Sequence, residues 1–588
     1  MEVNSEQAAY FKVYWSKNGE VWREDKMSRA YVRPGRSYIF LRIGDLKAMD
    51  TLRLDPGERG DTWFEIKWVQ LRQAGFPPLQ LTTSADLSRL QPLGGIAALD
   101  IDEKGLHVRT STDDPQLAWQ LPSGERQLAY GGELLRVMLI YGLVLLVFHV
   151  ACRAGLDGFS WVPYFMMLVL AVILLMAMTT RYDMHPDEAV HVQAAQYYKE
   201  HWLPPEIGDP AIRHTYSNYG VSRLHKNEVA YWLGGKFLQL LEPLHLPPHI
   251  PLRGMNVLLW ALMLLWVAAR PEARLLAVPL LVSPQIWYIF SYFNSEAFAL
   301  FMAMVIAWQL AASDSMFSRS SQPGNIPWRR HAVALGVLLG LFLLCKTNFY
   351  AVLLFFVVYL GWYLRYENSA PVRQVLRRWG AVCLIGGLVF GMVWGSDYAV
   401  NGPSRNERLY QARVEYALPL YSPVTPLEER HVYLQMRERG TDLRRLLHID
   451  LWGEKIFRSS FGVFGYTTIS ASPRYYNLMR WLGLGLVVYV GTAIMLRGGR
   501  QGISLLGITA LVSGTLVLVA LYSAWTSDFQ AQGRYFLPML PMLAVLLSRT
   551  RHVVPQGVLQ AGVLAMAMLS LYCFLAVGLA GSILRYGL

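Results

Sequence analysis

Residues 162–180 read VPYFMMLVLAVILLMAMTT, and residues 181–200 continue RYDMHPDEAVHVQAAQYYKE. The first stretch carries no charge over a length that, wound at about 1.5 Å per residue, crosses about 30 Å of hydrocarbon. The second switches at once to Asp183, His185, Asp187, Glu188 and His191, all within nine residues. Ionisable groups at a bilayer edge are costly unless solvated or used. The pair of stretches predicts a spanning helix that delivers an acidic loop to one membrane surface.

The rest of the chain repeats the apolar half of that pattern. Of 588 residues, 53% are hydrophobic and 16% charged, a balance that excludes an ordinary soluble protein. About twelve candidate spans lie near 134–152, 162–180, 253–268, 275–291, 296–312, 332–346, 349–364, 379–396, 480–496, 503–522, 534–548 and 556–580. The formal charge of +12 does not point to nucleic acid, because the arginines form neither a basic tail nor one helical face. Arg270 and Arg274, Arg319, Arg329 and Arg330, Arg365 to Arg378, Arg497 and Arg500, and Arg549 and Arg551 fall in alternate short loops, as cytoplasmic connections do. Segments 181–252 and 397–479, with the turns around Asn294, Lys346 and Asp528, are then predicted on the opposite, extracytoplasmic face. The lipid bilayer is the surrounding partner. Cys152, Cys345, Cys383 and Cys573 lie in or beside apolar runs and read as small hydrophobes, without zinc spacing or a disulfide framework.

Residues 1–130 differ. Runs such as YFKVYW, SYIFLRI, DTWFEIKWVQL and KGLHVRTS, separated by turn formers, predict strands of a small antiparallel sandwich. Residues 131–588 are the predicted mainly α membrane domain. The span count puts the β-rich domain outside as well, and MEVNSEQAAYFKVYWS holds no apolar stretch to carry it across, so a membrane helix is expected upstream of residue 1. A cytoplasmic sandwich with one span fewer is the competing topology.

From Glu188 onward the acidic segment reads as a helix, with Glu188 and His191 on one face and the carboxylates favoured by the helix dipole. Plain capping is the structural alternative. The chemistry sharpens with four stretches: HPDEAVHVQAAQYY at 185–198, LRLDPG at 52–57, FNSEAFAL at 293–300 and QGRYFLPMLP at 532–541. Together they resemble the GT-C superfamily of multi-pass glycosyltransferases that use polyprenyl-phosphate sugars, and within it a bacterial family of membrane proteins without an assigned activity. The first and last stretches are the distinctive ones.

The resemblance implies transfer of a sugar from a polyprenyl-phosphate donor to a cell-envelope glycan or lipid acceptor, at the extracytoplasmic face of a bacterial inner (cytoplasmic) membrane. It implies Asp187 as general base, with Glu188 second; neighbours on a helix point about 100° apart, so one atom of substrate is not reached by both. A dehydrated carboxylate gains basicity, which suits removal of a hydroxyl proton near neutral pH. Lys346 and Arg534 are expected to meet the leaving phosphate, snorkelling being their structural alternative. Asn294 and Glu296 are a second polar turn, or else a helix cap. His185, His191, Gln532 and Tyr535 complete the expected substrate-binding set. One base and no covalent nucleophile imply inversion in a single displacement.

Some members of the superfamily bind a divalent ion, and Asp183, His185 and Asp187 offer oxygen and imidazole ligands in principle, but their spacing matches no established metal site and no cofactor is assigned. Segment 397–479, with Asp397, Arg405, Glu407 and Arg408 among many tyrosines, resembles a variable acceptor region, and TPLEERHVYLQMRERG at 425–440 reads as a surface helix. Two other classes stay open: a transporter or flippase of lipid-linked glycans, and a non-catalytic envelope assembly protein whose sandwich is a carbohydrate-binding or scaffold module. A transporter favours internal repeats and ionisable groups at mid-membrane depth, whereas these cluster at one surface.

Overall fold

A period of two in burial marks the N-terminal residues as strands with one covered face. They are Glu2–Ser5 (β1), Ala9–Ser16 (β2), Met27–Val32 (β3), Gly35–Tyr38 (β4), Thr51–Pro56 (β5), Trp63–Leu71 (β6), Leu79–Leu81 (β7), Leu90–Gly94 (β8), Ile96–Ile101 (β9), Leu106–Thr110 (β10) and Gln116–Gln120 (β11). In β6, Phe64, Ile66, Val69 and Leu71 turn inward while Trp63, Glu65 and Lys67 do not. The strands form two antiparallel sheets, ordered β4-β1-β6-β10-β9 with β7 beside β6, and β3-β2-β5-β11-β8. Val3, Phe64, Ile66 and Val108 of the first sheet and Phe11, Val13, Leu54 and Trp119 of the second share one buried cluster. Of the predicted runs, YFKVYW lies in β2, DTWFEIKWVQL yields β6 and KGLHVRTS yields β10, whereas SYIFLRI gives β4 only its first two residues.

The computed structural model describes the chain except residues 8, 18–19, 23–25, 33, 40, 42, 44–45, 47–48, 58–59, 74–75, most of 123–156, 323–326, 369 and 587–588. The domain boundary near 130, the span 134–152 and Cys152 lie outside the described residues. The chain divides into two compact units, one built on residues 1–143 and the other on 144–582.

The second unit is helical. Its principal helices are Val162–Thr179 (α1), Glu188–Glu200 (α2), Val229–Leu240 (α3), His249–Ala269 (α4), Ala273–Leu280 (α5), Pro284–Phe290 (α6), Ser295–Ala311 (α7), Trp328–Leu343 (α8), Thr347–Tyr366 (α9), Val372–Asn401 (α10), Pro473–Arg497 (α11), Gly499–Thr526 (α12), Met539–Arg549 (α13) and Gln556–Ile583 (α14). Among the described residues seven are long and apolar enough to cross a membrane: α1, α4, α9, α10, α11, α12 and α14. An eighth span arises if α5 and α6, bent by 95°, count as one. The break has a local cause, because Ser283 caps α6 by accepting from Gln285 N at 3.1 Å and Pro284 has no amide to continue α5.

The expectation of twelve spans exceeds this count for a reason of length. Helix α7 has 17 residues, α8 has 16 and α13 has 11, so at 1.5 Å per residue they reach about 25, 24 and 16 Å. The predicted window 534–548 took the apolar turn Gly533–Phe536 and Pro538 for helix. Helices α8 and α10 approach closely; a methyl on Gly340 would stand 2.5 Å from Val389 Cβ.

The two ends of α7 differ in chemistry. Near its last turn Arg549 donates to Leu310 O at 2.6 Å and pairs with Glu367 at 2.8 Å, while Arg270 pairs with Asp314 at 2.9 Å. Glu296 sits in its first turn, among the polar loops described next.

Candidate functional site

After α1 the chain turns back through two aspartates in the left-handed region, Asp183 (φ 61°) and Asp187 (φ 61°), a conformation a short polar side chain tolerates better than most. Asp183 N donates to Glu188 Oε2 at 3.1 Å, and Asp183 Oδ1 accepts from Ala189 N at 3.3 Å and from the Tyr466 hydroxyl at 3.0 Å. This crossing of bonds fixes where α2 begins.

Glu188 is not available to a substrate. It is fully buried and held by Arg253 of α4 through two parallel bonds, Nε to Oε1 at 2.6 Å and Nη2 to Oε2 at 2.8 Å. Arg253 spends its remaining hydrogens on Ala177 O (2.8 Å), Thr180 O (2.7 Å) and Arg181 O (3.1 Å), carbonyls that the end of α1 leaves without helical partners. His185 is likewise internal: its ring nitrogens lie 2.9 Å from Thr180 Oγ1 and 2.8 Å from Tyr288 Oη, and the ring stacks on Tyr292 at 4.7 Å. Both residues, expected at the substrate, are instead fastenings of the acidic loop to the bundle.

Asp187 behaves differently. Its side chain is 40% exposed, makes no capping bond, and lies 3.2 Å from Arg223 Nη2 and 3.9 Å from Arg534 Nη2. Arg534 Nη1 also approaches Glu296 Oε1 at 3.4 Å, and the same oxygen takes the Lys346 ammonium. Asp187, Arg223, Glu296, Lys346 and Arg534 thus converge from segments far apart in sequence. The Asp187 carboxylate is partly exposed and accepts from a guanidinium group, rather than being dehydrated as the sequence reading assumed.

His191 lies behind this group. Its Nδ1 is 2.7 Å from Tyr231 Oη, and the two rings stack at 5.7 Å. Burial, then Arg223, holds its imidazole well below its ordinary range, as burial and Arg253 do for His185, so both rings are neutral. Among the described residues His191 Nε2, Glu296 Oε2 and Arg534 Nε are buried without a partner. Three such atoms on neighbouring side chains are a cost that a bound polar group would remove.

The remaining expected residues shape the walls. Asn294 is a helix cap: Oδ1 accepts from Ala297 N at 3.0 Å while Nδ2 donates to Ile289 O and Tyr292 O at 2.6 and 2.9 Å. Gln532 opens the turn Gly533–Phe536, its amide donating to Gln530 O at 3.0 Å, and the Tyr535 hydroxyl donates to Gln530 Oε1. Sequence reasoning missed Arg223, Arg253, Tyr231 and Tyr466. Arg223 alone carried a signal, as a cation in SRLHKN within a loop otherwise noted for its acids.

The two long segments meet over the site. Asp397 accepts from Arg405 Nε at 2.5 Å, Asn227 Nδ2 at 3.0 Å and Asn401 Nδ2 at 2.8 Å. The short hairpin Val463–Phe464 (β12) and Ile469–Ser470 (β13) carries Tyr466 to Asp183. Leu434 bridges to Asp528, which joins the Asp528 turn to the same side. Residues 425–440 are turns with one short 3-10 stretch, not the expected surface helix. Arg430 and Arg439 explain this: they donate to Thr425 O (2.7 Å) and Leu434 O (2.9 Å), drawing off carbonyls that a helix would use.

Among the described residues no three His, Cys, Asp or Glu side chains converge to hold a metal ion. Both His185 nitrogens are committed to hydroxyls, so the Asp183, His185 and Asp187 trio does not assemble into a ligand set. No protein-family profile matches the chain, and no curated protein matches it.

Helices α2 and α3, which bring His191 against Tyr231, pack through a contact that only glycine permits. A methyl on Gly235 would stand 2.5 Å from Tyr198 C and 2.6 Å from Ala195 O, both backbone atoms that have nowhere to retreat. Gly235→Ala is therefore expected to cost about 1–3 kcal/mol by overpacking, read as a lower thermal midpoint in detergent; an unchanged midpoint would remove α2–α3 packing from the account of the site.

Proposed function

We propose that the protein is a membrane glycosyltransferase that moves a sugar from a polyprenyl-phosphate carrier to an envelope glycan or lipid, with Asp187 as general base. One observation carries the reading: a half-exposed carboxylate with Arg223 and Arg534 beside it and the Lys346–Glu296 pair behind, at the end of α7 opposite the arginine-rich connections. A transferase of this kind needs a base for the incoming hydroxyl and cations for the departing phosphate, close together at a membrane surface.

The bonds balance as follows. The acceptor oxygen attacks the anomeric carbon as the bond from that carbon to phosphate oxygen breaks. The electron pair leaves with polyprenyl phosphate, and the hydroxyl proton passes to Asp187. Inversion follows from the single displacement. Arg223, Arg534 and Lys346 receive the phosphate charge. The donor phosphate competes with Asp187 for the two guanidinium groups, so donor binding itself loosens the base for its task. The lipid and sugar then take the place of water around the carboxylate.

The same reading places the arginine-rich ends in the cytoplasm of a bacterial cell and the acidic face outside the inner membrane. It counts 134–152, the bent α5–α6 pair and the shorter α7, α8 and α13 with the seven long helices, which makes twelve spans. It takes the two N-terminal sheets as faces of one extracytoplasmic sandwich.

The test is transfer by purified protein in proteoliposomes supplied with labelled polyprenyl-phosphate sugars and an envelope acceptor fraction. Donor-dependent labelling of the acceptor that disappears with Asp187→Asn supports the reading. Transfer that survives Asp187→Asn combined with Glu188→Ala sinks it, as does movement of intact donor across the bilayer without any transfer.

A further inference from the structure

The first N-terminal sheet has an outward face whose residue types and spacing are those of a sugar-binding platform. Strand register places Arg36 opposite Asn4, Asn4 opposite Glu65, Glu65 opposite His107 and His107 opposite Asp100. That is a straight polar row across β4, β1, β6, β10 and β9, with neighbours about 4.8 Å apart, close to the length of one pyranose ring. One step along the strands, about 7 Å to one side of the row, stands Trp63, 38% exposed, with Arg109 over its ring at 5.7 Å. One step to the other side stands Tyr38, 54% exposed, against Trp68 at 6.4 Å between centroids. Asn4, Glu65, His107 and Trp63 line a concavity of about 400 Å³ on this face.

The charge pattern selects the ligand. Among the described residues the cations of the face are matched: Arg36 pairs with Glu2 at 2.5 Å, Lys67 with Glu2 at 3.7 Å and Arg109 with Asp61 at 2.6 Å. Glu65 accepts from the Asn4 amide at 2.9 Å and His107 Nε2 lies 3.0 Å from Asp102 Oδ1, so the centre of the row offers the Asn4 carbonyl, the Glu65 carboxylate and the other ring nitrogen of His107, groups that exchange hydrogen bonds with hydroxyls. Among the described residues Glu65 pairs with no cation, and with Glu6 at the rim it repels uronate or phosphate groups and leaves a neutral sugar as the fitting occupant. Trp63 and Tyr38 supply flat apolar surface for the C–H faces of the rings at small entropic cost.

We infer that this sheet face binds a neutral hexose oligosaccharide, one chain lying along the Arg36–Asn4–Glu65–His107–Asp100 row between Trp63 and Tyr38. The site shares no residue with the Asp187 group, and the inference holds whether or not the chain transfers sugar. In a transferase it would keep a growing polymer near the membrane surface; in an assembly protein it would be the business end.

The experiment is calorimetric titration of the full-length protein, in a detergent without a sugar headgroup, with cellohexaose, maltohexaose, mannohexaose and hexagalacturonate. At least one neutral hexaose is expected to bind. Trp63→Ala should weaken it by about tenfold or more and Trp63→Phe by less than about threefold, an aromatic ring being the feature required. Glu65→Gln should weaken it as well, and Asp187→Asn should leave it unchanged. Trp63 is a surface side chain, and an unaltered melting curve for Glu65→Gln guards against misfolding as the cause. Absence of binding by every neutral hexaose, equal binding by Trp63→Ala, or tighter binding of hexagalacturonate overturns the inference.

Discussion

Asp187→Asn should lower the rate of sugar transfer by roughly two to four orders of magnitude, the span general-base catalysis contributes, while the protein still reaches the membrane and melts as the wild type does. The substitution is nearly isosteric, so Arg223 at 3.2 Å keeps a hydrogen-bond acceptor while the group that takes the proton is gone. Little stability is at stake, because a pair this exposed is worth about 0–1 kcal/mol. Donor affinity should not fall and is expected to rise, since Arg223 and Arg534 no longer share their charge with a carboxylate. A purely structural role for Asp187 gives the reverse pattern, a lower melting point with kcat intact. Single-turnover transfer and donor binding measured on the same preparation separate the two, and wild-type kcat in the variant ends the case for this base.

How much of this was legible follows from which physics acts locally. The apolar runs announce their helices because the bilayer imposes one requirement on every spanning segment, and α1, α4, α9 and α12 fall where the hydropathy puts them. The convergence of Asp187, Glu296, Lys346 and Arg534 was reachable by placing polar turns on one face. Which neighbour does what was not. Asp187 and Glu188 are adjacent and chemically alike, yet one faces Arg223 at the surface and the other is sealed against Arg253, 65 residues away. No local pattern marks Arg253, near the start of an apolar span, as the partner. The left-handed backbone at Asp183 and Asp187 and the arginines that unmake the expected helix at 425–440 are also long-range outcomes. Length misled in the other direction: FLPMLP is as apolar as any helix, but its prolines leave α13 only 11 residues.

The Glu188–Arg253 pair is where the largest loss of stability is expected. Arg253→Met keeps the volume of the side chain but leaves the Glu188 carboxylate buried without a counter-charge and strips the carbonyls of Ala177, Thr180 and Arg181 of their donors. Removing one partner of a buried pair costs about 3–5 kcal/mol, because the other cannot be rehydrated in place. Glu188→Gln should cost less, since the Arg253 guanidinium loses its counter-charge but keeps the amide oxygen and the carbonyls of Ala177, Thr180 and Arg181 as acceptors. The two changes together should cost less than their sum, with a coupling of about 1–3 kcal/mol in a double-mutant cycle. The first consequence of Arg253→Met is a loosened end of α1, so the acidic loop should become sensitive to protease between residues 181 and 187 before the bundle itself melts. Thermal midpoints in detergent for the four members of the cycle, with limited proteolysis of each, decide the matter. An Arg253→Met protein that melts with the wild type, or a cycle that is strictly additive, would mean the pair is not what fastens the loop, and the position of Asp187 would need another explanation.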